Sequence, residues 1–102
     1  MTYEAALAAL SDPTRRLVFE RTLAAARPVA AIAEGLPVSR PAVSQHLKVL
    51  KNAGLITERR QGTRRLYMAD PQALGELRAA IEAMWLEALG GVAAAIDEEQ
   101  HR

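Results

Sequence analysis

The 102-residue chain has no cysteine. Disulfide bonds, thiolate metal ligands and thiol redox switches are therefore excluded. Aromatic side chains are scarce: one tryptophan, one phenylalanine and two tyrosines. A core must then be built from small aliphatic side chains. Half of the residues are hydrophobic, with alanine and leucine dominant, which is a helix-rich composition. Help from a partner chain is a reasonable expectation for so small a core. No apolar run approaches the length of a membrane span. The N-terminus has neither the basic segment nor the hydrophobic stretch of a signal peptide. A soluble, cytoplasmic protein of one domain over residues 1–102 is expected, with no membrane partner. Also missing are a nucleophile–histidine–acid set, a glycine-rich phosphate loop and a histidine-rich cluster. No enzyme activity and no cofactor are expected.

Acidic residues are missing from one part of the chain in particular. Residues 39–68 carry Arg40, Lys48, Lys51, Arg59, Arg60, Arg64 and Arg65 against Glu58 alone, a net +6. Residues 1–38 balance to zero, and residues 69–102 carry a net −5, which together give the whole chain's +1. A basic middle on a neutral-to-acidic protein suggests a polyanion partner for that segment. Charge runs are also common on plain solvated faces, so clustering alone does not settle the matter.

Start and stop signals divide the chain. Tyr3–Leu10 reads as a short alanine-rich helix with Ala6, Leu7 and Leu10 as apolar contacts. Asp12-Pro13 offers an aspartate cap followed by proline at the first helical position. A helix from about Pro13 to Ala26 would turn Val18, Phe19, Thr22 and Leu23 inward, ended by Pro28. Val29–Glu34 reads as a third helix, with Val29, Ile32 and Ala33 inward, and Leu36-Pro37-Val38 as a tight connection. Ser39 caps the fourth helix, where Pro41 is tolerated in the first turn. Gly54 ends that helix, and Leu55 would fall against Leu50 in a Schellman stop. The period then changes. Leu55–Arg59 and Arg64–Met68 flank Gln61-Gly62 as a β-hairpin. Asp70-Pro71 opens a last helix. Leu74, Leu77, Ile81, Met84, Trp85, Ala88, Leu89, Val92 and Ile96 lie on one stripe of it, and Gly90-Gly91 either bends or ends it.

Two short helices, a tight turn and a following hairpin describe a winged helix-turn-helix: mainly α, five helices and a small β-hairpin wing. The fourth helix has a seam of Val43, Leu47 and Leu50. Its other face carries Pro41, Ser44, Gln45 and Lys48, with Ser39 and Arg40 at its start. Small residues allow close backbone approach. Gln45 can pair bidentately with adenine, Ser44 can bond to base or phosphate, and Lys48 to phosphate or guanine. An ordinary amphipathic surface helix would show the same division. The hairpin weighs against that reading, because Arg59, Arg60, Arg64 and Arg65 repel one another without an anion. Arginines on a wing can follow phosphates or enter the minor groove.

The segments Ala9–Phe19 ("ALSDPTRRLVF"), Ser39–Gly54 ("SRPAVSQHLKVLKNAG") and Leu55–Tyr67 ("LITERRQGTRRLY") resemble the ArsR/SmtB family of bacterial repressors. The resemblance covers roughly residues 5–89, and the Ser-x-His-Leu-x-x-Leu run from Ser44 to Leu50 is its most specific part. One departure is Pro37, where the family commonly has glycine; Gly35 stands two residues earlier. The resemblance implies a homodimeric repressor that binds an inverted repeat in double-stranded DNA. It places the helix-turn-helix at about 29–54, the wing at about 55–68 and dimerisation helices at about 3–10 and 71–98. Leu7, Leu77, Ile81, Met84, Trp85, Ala88, Leu89 and Val92 would then form the interface, although such a stripe could also cover only its own core.

Other readings stand beside this one. Many relatives sense metals through cysteines, which this chain lacks. A second type uses Asp, His and Glu on the last helix. The candidates here are Asp97 and His101, at i, i+4, with Glu98 nearby; a solvated tail is the plainer reading of them. His46 lies between the seam and the outer face, either as a DNA contact or as a half-buried residue orienting the helix. A winged-helix interaction module, acting through a protein co-regulator on the Trp85 stripe, is the alternative function.

Overall fold

Four short polar side chains start four of the five helices by accepting main-chain N–H groups that have no partner within the helix. In the computed structural model, Thr2 Oγ1 accepts from Ala5 N at 3.1 Å and opens α1 (Tyr3–Leu10). Asp12 Oδ1 accepts from Arg15 N at 2.9 Å and opens α2 (Pro13–Glu20). Ser39 Oγ accepts from Ala42 N at 3.3 Å and opens α4 (Arg40–Asn52). Asp70 Oδ1 accepts from Gln72 N at 3.0 Å and opens α5 (Pro71–Gln100). Between them lie α3 (Val29–Ala33) and the antiparallel hairpin of β1 (Ile56–Gln61) and β2 (Arg64–Ala69). The structure describes residues 1–100, with 92–95 and 97–100 described by their backbone alone.

The stop of α4 is a complete Schellman motif. Gly54 has φ +80°, Gly54 N donates to Lys51 O at 2.9 Å, and Leu55 N donates to Leu50 O at 3.0 Å. The dihedral calls for glycine here, and a Cβ would also press on Met1 Cβ at 3.2 Å. The hairpin turns through Gly62-Thr63, one residue later than expected, since Gln61 pairs with Arg64. Gly62 has φ +63°, and among the described residues no non-glycine residue has positive φ, so the turn combines a positive φ at Gly62 with a negative one at Thr63, the pattern of a type II′ turn.

The second helix departs most from expectation. It ends at Glu20, not near Ala26, and Leu23 is 48% exposed instead of inward. Thr22 is fully buried and its hydroxyl donates to Phe19 O at 2.6 Å, closing the helix. The main chain that follows is then used by β2. Ala69 N donates to Thr22 O at 2.9 Å, and Arg27 and Tyr67 exchange both of their main-chain bonds, at 2.9 and 2.8 Å. Pro28 does not terminate α2; in extended geometry it stands at the cap position of α3.

Val18, Phe19, Ile32, Val43, Leu47, Leu50, Leu55 and Ile56 form the centre of the core, all at 6% exposure or less. Each such side chain contributes about 1.5–3 kcal/mol by leaving water. Ala6 and Ala9 bring α1 against this core, while Leu7 is 42% exposed. At the start of α5, Ala73 and Leu77 are buried in the same way. Beyond them the helix leaves the body of the protein and runs through Gly90-Gly91 without ending. The radius of gyration is 18.5 Å, against about 13 Å for a compact chain of this length, because α5 projects. Ile81, Met84, Trp85 and Leu89 are 37%, 54%, 64% and 57% exposed. One tether is seen there, from Tyr3 Oη to Met84 Sδ at 2.9 Å.

Candidate nucleic-acid interface

The division of α4 follows its helical period. Val43, Leu47 and Leu50 recur at i, i+4 and i+7 and are buried. Pro41, Ser44, Gln45 and Lys48 are exposed on the opposite side, as are Ser39 and Arg40 at the N-terminus. His46 is half-buried between the two faces. It lies within electrostatic range of Asp12 at the start of α2. The Asp12 carboxyl is held below the usual carboxylate range, first by the Arg15 N–H, against a desolvation that raises it, and then by the charges of Arg15 and His46.

A groove of about 550 Å³ separates α4 from the hairpin. Ser44, Gln45 and Lys48 line it from the helix, and Glu58 and Arg65 from the wing. A second, open hollow of about 530 Å³ lies at the start of α4 and brings Arg40 and Arg64 together across Glu34 and α3. Of the expected site residues, Pro41, Ser44, Gln45, Lys48 and Arg65 line the groove and Arg40 and Arg64 the hollow, while Ser39 and His46 line neither. Arg59 and Arg60 line neither, standing exposed on β1 close to the tip of the hairpin. Burial in the hairpin is confined to its base, at Ile56, Leu66 and Ala69 with Tyr67 half-buried, so its distal half, from Arg59 to Arg65, is exposed.

Two residues gain importance that their position in the sequence does not disclose. Lys51 Nζ donates to Glu58 Oε2 at 2.9 Å, and Arg65 Nε lies 3.5 Å from Glu58 Oε1. Lys51 comes from the last turn of α4, Arg65 from β2. The Glu58 carboxyl is held below its ordinary value, first by the Lys51 hydrogen bond, against desolvation, and then by the charges of Lys51, Arg65 and Arg60. Arg40, Lys48, Arg59, Arg60 and Arg64 have no ion-pair partner among the described residues. Three of these unpaired cations, Arg40, Lys48 and Arg64, line the two concavities and two stand on the wing, a surface suited to a polyanion.

Among the described residues, no group of three or more His, Asp or Glu side chains is placed to hold a metal ion. The Asp97 side chain and His101 lie outside the described residues, as does the side chain of Val92. No helix among the described residues is long and apolar enough to cross a membrane.

Residues 10–59 match a family described as a helix-turn-helix domain. The chain is 52% identical over 91 residues to the HTH-type transcriptional regulator Rv2034 of Mycobacterium tuberculosis, covering 89% of this chain and 85% of that one. An ArsR-like transcriptional regulator from Rhodococcus sp. RHA1 superposes with a TM-score of 0.82 at 30% identity, over 90% of this chain and 87% of that one. The homodimeric winged helix-turn-helix DNA-binding domain of Mb0332 from Mycobacterium bovis superposes with a TM-score of 0.66 at 27% identity, over 82% and 78%. With its five helices, its two-stranded wing and these relatives, the chain belongs to the ArsR/SmtB family of winged helix-turn-helix transcriptional regulators, which act on DNA and are not enzymes.

Proposed function

We propose that two copies of this chain pair through α1 and α5 and repress transcription by binding an inverted repeat at a promoter. The observation that carries the reading is the groove in which Ser44, Gln45 and Lys48 of α4 face the wing's Arg65. In that arrangement α4 enters the major groove. Gln45 pairs with adenine, Ser44 and Lys48 reach bases or phosphates, and Arg40, Arg59, Arg60 and Arg64 hold the flanking backbone. Ser39 keeps its cap and adds its hydroxyl proton. His46, half-buried between the inner and outer faces of α4, orients the helix.

Pairing is supported by the uncovered stripe on α5 and by the homodimeric state of the Mycobacterium bovis relative. Leu7, Ile81, Met84, Trp85, Ala88 and Leu89 are free to enter such an interface, whereas Leu77 is already 8% exposed within its own core. A two-fold pair presents two α4 helices, so the half-sites should be centred one DNA turn apart, about 34–36 Å, or a multiple of it.

Selection of duplexes from a random pool, followed by titration at several salt concentrations, tests the proposal. A palindromic consensus bound with steep salt dependence is the expected result. Affinity that never exceeds the non-specific level overturns it. Gln45→Ala should relax base preference at one position per half-site, lowering discrimination there about 5- to 150-fold. Arg64→Ala should weaken every duplex alike and flatten the salt slope by about one unit per chain. The reverse pattern would misplace both residues.

A further inference from the structure

Glu58 is the one acidic residue of the basic segment, and it stands inside the groove instead of outside it. Its side chain is 18% exposed, while Lys51 and Arg65 are 52% and 56% exposed. Each carboxylate oxygen is taken by a different cation, Lys51 at 2.9 Å on one and Arg65 at 3.5 Å on the other. The strand register explains the second contact. Glu58 pairs with Tyr67, so Arg65 is its diagonal neighbour on the same face of the hairpin. The carboxylate thus ties the last turn of α4 to the wing across the floor of the groove. A negative charge there repels phosphate, so it lowers affinity for DNA of any sequence. Its presence calls for a gain that affinity does not measure.

We propose that Glu58 is a specificity-determining residue, which withholds Lys51 and Arg65 from the DNA phosphates and holds them in place over the base edges. The inference rests on the reading that this groove takes DNA. Cations already neutralised by a carboxylate release few counterions when a duplex binds, and so add little to sequence-independent affinity. Held in a fixed direction, they can still donate to base acceptors. Selectivity is a difference between two affinities, and lowering the non-specific one raises the ratio as surely as strengthening the specific one.

The test uses the full chain and two duplexes, one selected by the wild type from a random pool and one scrambled version of it. Glu58→Gln keeps the shape and removes the charge. It should steepen the plot of log affinity against log salt by about one to two units per bound chain, one for each cation released. Affinity for the scrambled duplex should rise more than affinity for the selected one, so that their ratio falls at least about 5-fold. In a Lys51→Met/Arg65→Met background the same change should move the slope by less than about half a unit, because nothing remains to be released. An unchanged slope and ratio in Glu58→Gln overturns the assignment. So does an equally large change in the double-variant background, which would make Glu58 a general background charge. A wild-type chain that binds no duplex specifically removes the groove reading and this inference with it. Should Glu58→Gln not fold, single lysine variants decide. Lys48→Met should flatten the wild-type slope by about one unit and Lys51→Met by less than half of that, and equal flattening overturns the assignment.

Discussion

Replacing Trp85 with alanine should turn a dimer into monomers at micromolar concentration and leave the monomer folded. Trp85 stands midway along α5 and is 64% exposed in the single chain, flanked by Met84 at 54% and, one turn on, Leu89 at 57%. A tryptophan and its neighbours left this bare form a surface that soluble proteins cover. Truncating a central aromatic of an interface typically removes about 2–4 kcal/mol. That raises the dimer dissociation constant by about 30- to 1000-fold. Sedimentation equilibrium of the wild type and the variant reads the change directly. DNA binding should fall with it, because a lone chain has one α4 helix and fills one half-site. Circular dichroism should be unchanged, since Trp85 lies outside the buried cluster of Val18, Val43, Leu47 and Leu50. A wild type that sediments as a monomer refutes the pairing and favours a different protein as the partner of the stripe.

The largest loss of stability is expected from Leu50→Ala. Leu50 is fully buried, and its carbonyl accepts the Leu55 N–H that closes the Schellman stop of α4. Removing the side chain leaves a cavity at the junction of α4 with the hairpin. Substitutions of this kind destabilise by about 2–5 kcal/mol. Whole domains are stable by about 5–15 kcal/mol. The melting temperature should therefore fall by roughly 10–30 °C. Val49→Ala is the control: it sits one residue earlier on the same helix, 41% exposed. It should move the melting temperature by a few degrees at most. Both melts are to be taken at one protein concentration, since pairing makes the transition concentration-dependent. Equal shifts for the two variants would mean that the seam of α4 has been misassigned.

Sequence and structure agree wherever the determining chemistry is local. Asp12, Ser39 and Asp70 cap helices because each is a short acceptor placed before a proline or an apolar run, and the capped N–H lies two or three residues on. Gly54 stops α4 because only glycine accepts φ +80° there without strain. The seam of Val43, Leu47 and Leu50 follows from the helical period, and so does the outward face with Ser44, Gln45 and Lys48. Gly90-Gly91 is ambiguous in the sequence. Two glycines weaken a helix by about 1 kcal/mol each, yet among good helix formers such as Ala88, Leu89 and Ala93 they do not end it, and α5 continues.

Other features depend on partners far along the chain. The end of α2 is not legible locally, because Val18, Phe19, Thr22 and Leu23 keep a helical spacing that points to a helix through Ala26. The main chain leaves that period at Glu20 because residues more than forty positions later, Tyr67 and Ala69 on β2, bond to Arg27 and Thr22. Likewise, seven cations and one glutamate in residues 39–68 reveal a polyanion-seeking segment. They do not reveal that Glu58 holds Lys51 from one element and Arg65 from another.

Amino-acid order alone thus established the element types, the caps, the buried seam and the charge that make this a winged helix-turn-helix regulator, since each arises within a turn or two of chain. Tertiary contact decided where α2 ends, which cations stand free, and how much of α5 is left uncovered. The physical reason is common to all three. Hydrogen bonds, ion pairs and burial act over a few ångströms in space, and the groups they join here lie on different elements, brought together only by packing on one core.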